Sequence, residues 1–105
     1  MSEELDIRIV LDDNATIIGV ATVGLNGDVS LENPAFLIPT ETGEVHFIPA
    51  LQAMGIDESE TEIFLTKDKL KFGKAFVADP RMASQYKSAM GYTVLELPED
   101  KKLIL

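Results

Sequence analysis

Apolar and polar positions along this chain alternate in short runs separated by turn residues, which predicts strands rather than long helices. Leu5-Asp6-Ile7-Arg8-Ile9-Val10-Leu11 alternates and then turns apolar, a first strand with Leu5, Ile7 and Ile9 on one face. Asp12-Asp13-Asn14 is a turn cluster. Ala15 to Val23 is apolar and β-branched with Gly19 inside it, the mark of a sharp bend or a close backbone approach. Gly24-Leu25-Asn26-Gly27-Asp28 closes a hairpin, because Asn-Gly favours positive φ. The central strand follows, Val29 to Thr40. Val29, Leu31 and Asn33 point one way and Ser30 and Glu32 the other, while Ala35 to Ile38 is apolar on both faces. Pro34 cannot donate to a ladder, so the strand bends, bulges or runs at an edge there. A strand that starts half-exposed, kinks and ends fully buried suits a small, strongly bent sheet closing on itself. It equally suits a strand end covered by a neighbouring subunit.

Downstream, Thr40-Glu41-Thr42-Gly43 reads as a turn and Glu44 to Ile48 as a short strand stopped by Pro49. Ala50 to Met54 predicts a single helical turn with Gly55 as its stop. Thr61 to Thr66 and Leu70 to Ala78 predict two further strands joined by Lys67-Asp68-Lys69, with Leu70, Phe72, Lys74 and Phe76 on one side. Asp79-Pro80 predicts a helix start: the carboxylate caps free amides and proline suits the first helical position. Met82, Ala83, Tyr86 and Met90 then recur at helical spacing up to Gly91. Thr93 to Leu97 and Lys101 to Leu105 form either a last hairpin or a tail laid across a neighbour.

At 105 residues the chain holds one domain with one modest core. The net charge of −9 argues against broad affinity for phosphate backbones, but the charge is unevenly spread. Residues 1–62 carry one basic residue, Arg8, against thirteen acidic ones, and residues 63–105 carry eight basic against five. Lys67, Lys69, Lys71, Lys74, Arg81 and Lys87 crowd one short segment, either a solvated face or a basic rim on an acidic body. With no cysteine there is no disulfide framework and no thiolate metal site. Met1-Ser2-Glu3-Glu4 lacks a signal-peptide pattern and no apolar run approaches the roughly 20 residues of a membrane span, so the expectation is a cytoplasmic protein without a membrane partner.

The only histidine, His46, has no nucleophile or metal set beside it and reads as structural or surface. Asp12-Asp13 and Asp57-Glu58-Ser59-Glu60 lack the spacing of a calcium loop, leaving weak cation binding as the alternative to plain solvated turns. There is no phosphate loop, dinucleotide fingerprint, nucleophile elbow or zinc-binding helix. The expectation is a non-enzyme with no cofactor and no metal. Phe36, Phe47, Phe64, Phe72 and Phe76 fall at inward strand positions, and Tyr86 and Tyr92 are the better-exposed aromatics.

Taken in order, these pieces resemble a family of Sm-like (LSm-like) proteins of marine-metagenome and cyanophage origin. The likeness runs through Leu31-Glu32-Asn33-Pro34-Ala35-Phe36-Leu37-Ile38-Pro39-Thr40, Phe47-Ile48-Pro49, Glu62-Ile63-Phe64-Leu65, Ala78-Asp79-Pro80 with the helix holding Tyr86, and Lys101-Lys102-Leu103-Ile104-Leu105. It covers nearly the whole chain; the Asn33-Pro34 strand and the tyrosine-bearing helix are its most specific parts.

The resemblance implies a mainly β, Sm-like fold: a small, strongly bent five-stranded antiparallel barrel with a short C-terminal helix and tail, assembling into a ring. An edge strand of one subunit would pair with that of the next, with Leu70 to Ala78 and Thr61 to Thr66 as the expected edges, giving a cyclic homo-oligomer from pentamer to heptamer. It further implies binding of single-stranded RNA around the pore, and for a phage protein the cytoplasm of the infected host cell. The Sm RNA site uses an Asp–x–hydrophobic–Asn element and an Arg/Lys-Gly element. Here the first turn carries Asn26 and Asp28 in the reverse order, and the second reads Thr66-Lys67-Asp68-Lys69 without the glycine. The RNA-binding candidates carried over are Asn26, Asp28, Lys67 and Lys69. The alternative is a phage-encoded interaction or assembly ring without RNA binding.

Overall fold

The computed structural model describes residues 5–12 and 15–92. The two expected tail segments, Thr93 to Leu97 and Lys101 to Leu105, lie outside the described residues. Strands β1 (Ile7–Leu11), β2 (Thr16–Val23), β3 (Val29–Pro39) and β4 (Val45–Pro49) are followed by a short helix α1 (Ala50–Ala53). Then come β5 (Glu62–Leu65), a 3₁₀ turn (Lys67–Lys69), β6 (Phe76–Val77) and helix α2 (Pro80–Ala89). All ladders are antiparallel, in the order β4-β3-β2-β1-β6 with β5 also on β3. The chain is mainly β. It forms six strands rather than five because β4 and β5 share one edge of β3: β4 pairs with its second half, β5 with its first.

The long β3 can serve both partners because it changes face in its middle. On β2, Ile18 pairs with Ala35 and Val20 with Glu32, so Gly19 alone stands opposite Asn33 and Pro34. This is a β-bulge, with one extra residue in β3 and Asn33 at φ 52°, the left-handed conformation that asparagine tolerates. Gly19 lets the strands approach there, since a Cβ at that position would lie 3.1 Å from the Glu32 carbonyl oxygen. The extra residue resets the two-residue alternation. Before the bulge Val29 and Leu31 face one core; after it Phe36 faces that core while Ala35 and Leu37 face the other.

Two apolar layers result. The first gathers Val10, Ile17, Ala21, Val29, Leu31, Leu70 and Ala75, with Ile63 and Leu65 of β5 against it. Residues from β1 and β5, distant in strand order, meet in this layer, so the sheet is curled around it. The second layer, on the outer face, holds Ile7, Ile18, Ala35, Ala78 and Tyr86, covered by Met82 and Ala83 of α2 and by Met90, which caps its end. The capping reading of α2 is realised: the Asp79 carboxylate accepts the Arg81 N–H at 3.0 Å and Pro80 opens the helix.

Two expectations need correction. The segment Leu70 to Ala78 is not one strand. The Leu70 N–H bonds the Lys67 carbonyl, the Gly73 N–H bonds the Leu70 carbonyl, and Gly73 takes φ 73°, so only Phe76–Val77 remains extended. Nor does β3 end fully buried. Ala35 is buried and Phe36 and Leu37 are half-buried, but Ile38 is 42% exposed, because beyond Phe36 only β4 still pairs with β3.

Candidate nucleic-acid interface and the tyrosine clasp

The β2–β3 hairpin and the turn after β5 meet at one end of the sheet. Within the hairpin the Asn26 carboxamide nitrogen donates to the Asp28 carboxylate at 3.0 Å, and its oxygen accepts the Asp28 N–H at 3.1 Å. The other oxygen of Asp28 accepts the Lys67 N–H at 2.9 Å, tying the two loops together across the fold. The stem of Lys67 lies over Gly27, whose φ of 95° and missing Cβ make room for it. Three of the four candidates, Asn26, Asp28 and Lys67, are therefore brought together. Lys69 stands apart on the exposed side of the 3₁₀ turn. Asp68 between the lysines is held below the usual carboxylate range, first by the Thr66 hydroxyl that donates to it. At the hairpin tip Leu25 is fully exposed.

The turn continues as Leu70-Lys71-Phe72-Gly73-Lys74-Ala75-Phe76. Leu70 and Ala75 are buried and fix its ends, and the Lys71 N–H bonds the Leu11 carbonyl at 2.7 Å. Between them Phe72 stands 63% exposed. Its ring meets Phe76 edge-on at 6.1 Å and has the Lys71 ammonium 5.9 Å from its centroid, while Lys74 lies 5.3 Å from the Phe76 ring. Phe64 on β5 is also exposed, at 65%. Both correct the inward reading of these phenylalanines. For Phe64 the signal was present in the sequence: it shares a strand face with Glu62, whereas Ile63 and Leu65 alternate inward.

The tyrosines are likewise the reverse of the exposed pair expected. Tyr86 is completely buried and Tyr92 half-buried. The Tyr86 hydroxyl donates to the Asn33 carbonyl at 2.5 Å and, more weakly, to that of Glu32 at 3.3 Å. The Asn33 carboxamide donates to the Tyr92 hydroxyl at 2.5 Å, and the Asn33 N–H to the Thr61 carbonyl at 2.6 Å. The Asn33 backbone and carboxamide and the Glu32 carbonyl at the bulge are thus answered from α2, Tyr92 or the approach to β5. Burial pushes the Tyr86 phenol above its ordinary range, and neighbouring Tyr92 adds to the shift.

His46 is exposed on β4. Among the described residues no cluster of three or more histidine, aspartate or glutamate side chains is placed to hold a metal ion, and no helix is long and apolar enough to cross a membrane. The acidic loop is organised by its own contacts: Asp57 accepts the Ser59 N–H and Gln52 donates to the carbonyls of Asp57 and Glu60.

No protein-family model matches the sequence, and neither does any curated protein.

Proposed function

We propose that the chain is the subunit of a closed Sm-like ring that binds single-stranded RNA. The observation that carries this reading is that, among the described residues, both ends of the sheet are left without a partner strand and bear exposed apolar side chains. The sheet has five strand positions, β4 with β5 at one end and β6 at the other, wrapped around a single inner core. At one end β5 presents Phe64, 65% exposed; at the other β6 presents Val77, 70% exposed. Open edges and exposed apolar residues favour pairing with another chain. A head-to-tail contact between the two different edges closes into a ring when the rotation per subunit permits.

The RNA part is supported by the meeting of the hairpin with the Lys67 turn, the two elements from which the resemblance draws its RNA contacts. Lysine contacts to phosphates give an affinity that falls with salt, about 0.7 log units per contact per log unit of salt for single strands. One observation favours the alternative, an assembly ring without RNA: Asn26 and Asp28 direct their polar atoms to each other and to the Lys67 N–H. Fluorescence anisotropy with a labelled oligouridylate at rising salt separates the two. The RNA reading predicts saturable binding that weakens with salt and a large loss in the Lys67→Glu, Lys69→Glu double variant. Absence of binding even at low salt contradicts it and leaves the assembly ring.

A further inference from the structure

Phe72 has no role in either reading, and its setting is unusual for a phenylalanine. It stands 63% exposed in a turn whose flanks, Leu70 and Ala75, are both buried. The backbone beneath it is pinned through the Lys71 N–H to Leu11 and the Gly73 N–H to Leu70. The ring is therefore presented on a fixed support rather than on a loose loop. The Lys71 ammonium lies over it and that of Lys74 over the adjoining Phe76 ring, both side chains exposed, and the nearest acid in sequence, Asp68, is engaged by the Thr66 hydroxyl. Beside the ring lies an open groove of about 560 Å³, with Thr16, Phe36, Leu37 and Ile38 along its wall and both Lys71 and Asp12 at its lining. An aromatic face among cations is complementary to a nucleotide, whose base offers a π-face and whose phosphate offers negative charge.

We infer that this turn is a stacking platform for one base of a single-stranded nucleic acid, with Phe72 receiving the base and Lys71 and Lys74 facing the adjoining phosphates. The inference rests on the RNA reading above and adds to it a contact outside the hairpin and Lys67. The recognition is indifferent to base identity, because every base can stack, and it favours flexible single strands over a duplex whose bases are already stacked.

The chain contains no tryptophan, so Phe72→Trp introduces a single indole at the site. Titration of that variant with an oligouridylate is expected to quench the indole in a saturable curve. Phe72→Ala is expected to weaken RNA binding roughly 5- to 150-fold, the range for losing one stacked base, with the oligomer mass unchanged. Lys71→Glu with Lys74→Glu should weaken binding and flatten its salt dependence. Wild-type protein that binds RNA, together with an unquenched indole and undiminished affinity in Phe72→Ala, overturns the platform while leaving the RNA reading intact. Wild-type protein that binds no RNA overturns both. A Phe72→Ala protein that falls apart into monomers assigns Phe72 to a subunit contact and also overturns the platform.

Discussion

The hydroxyl of Tyr86, on the buried face of α2, donates a 2.5 Å hydrogen bond to the carbonyl of Asn33, the residue at which β3 changes face. The bond links the helix to the one point where the central strand leaves its ladder. Removing the hydroxyl in Tyr86→Phe leaves that carbonyl without its donor at little change in volume. The expected cost is about 1–3 kcal/mol, which chemical denaturation read by circular dichroism will measure. Tyr86→Ala also opens a cavity and should cost about 3–5 kcal/mol.

The burial of the same hydroxyl makes stability sensitive to alkali. Burial raises the folded-state pKa of Tyr86 above the value of about 10 it has in an unfolded chain. Above pH 10 the unfolded state therefore loses its proton first and binds fewer protons than the folded state. The stability contribution is full below pH 10 and is lost as pH rises beyond it. Thermal melts from pH 8 to 11 should show Tm falling above pH 10 in the wild type and falling less in Tyr86→Phe.

Asn33 contributes both a backbone conformation and a side chain. At φ 52° an alanine pays about 1–2 kcal/mol, and loss of the hydrogen bond to Tyr92 adds about 1 kcal/mol. Asn33→Ala should therefore cost about 2–3 kcal/mol. Asn33→Gly, free of the conformational penalty, should cost less than Asn33→Ala; the reverse order in urea melts contradicts the bulge geometry.

Much of this architecture was legible in the sequence. Alternation and turn residues placed β1 to β5 to within a residue or two, and Asp79-Pro80 marked the start of α2. Pro34 announced a disturbance in β3, but not that Asn33 would swing left-handed and shift the inward positions by one. That shift depends on Gly19 across the ladder and on Tyr86 more than fifty residues away, contacts that local periodicity does not record. The same limit misplaced Tyr86, whose polar hydroxyl suggested exposure while its helical spacing with Met82, Ala83 and Met90 placed it inside. In Leu70 to Ala78 alternation favoured a strand, and Gly73 together with the 3₁₀ turn won. Of the candidate site, the resemblance singled out Asn26, Asp28, Lys67 and Lys69 by their places in the two turns. The mutual engagement of the first three, which leaves Lys69 outside, came only with the fold.

The Asp28 carboxylate holds the hairpin to the turn after β5. Asp28→Ala leaves the Lys67 N–H to water and the Asn26 carboxamide nitrogen without its acceptor. On this exposed surface the loss should be about 1 kcal/mol, a fall in Tm of several degrees. Hydrogen exchange should show faster exchange at the Lys67 amide, with the amides of β1 unchanged.

Assembly through the two sheet edges is the claim on which the ring reading depends. Native mass spectrometry of the purified chain tests it most directly, with Phe64→Glu as the comparison, since a charge at that edge opposes burial against a second subunit. The predicted result is one closed oligomer of five to seven subunits for the wild type, and monomer for Phe64→Glu with its circular dichroism spectrum retained. A wild-type monomer at micromolar concentration, or a ladder of unclosed lengths, would contradict it.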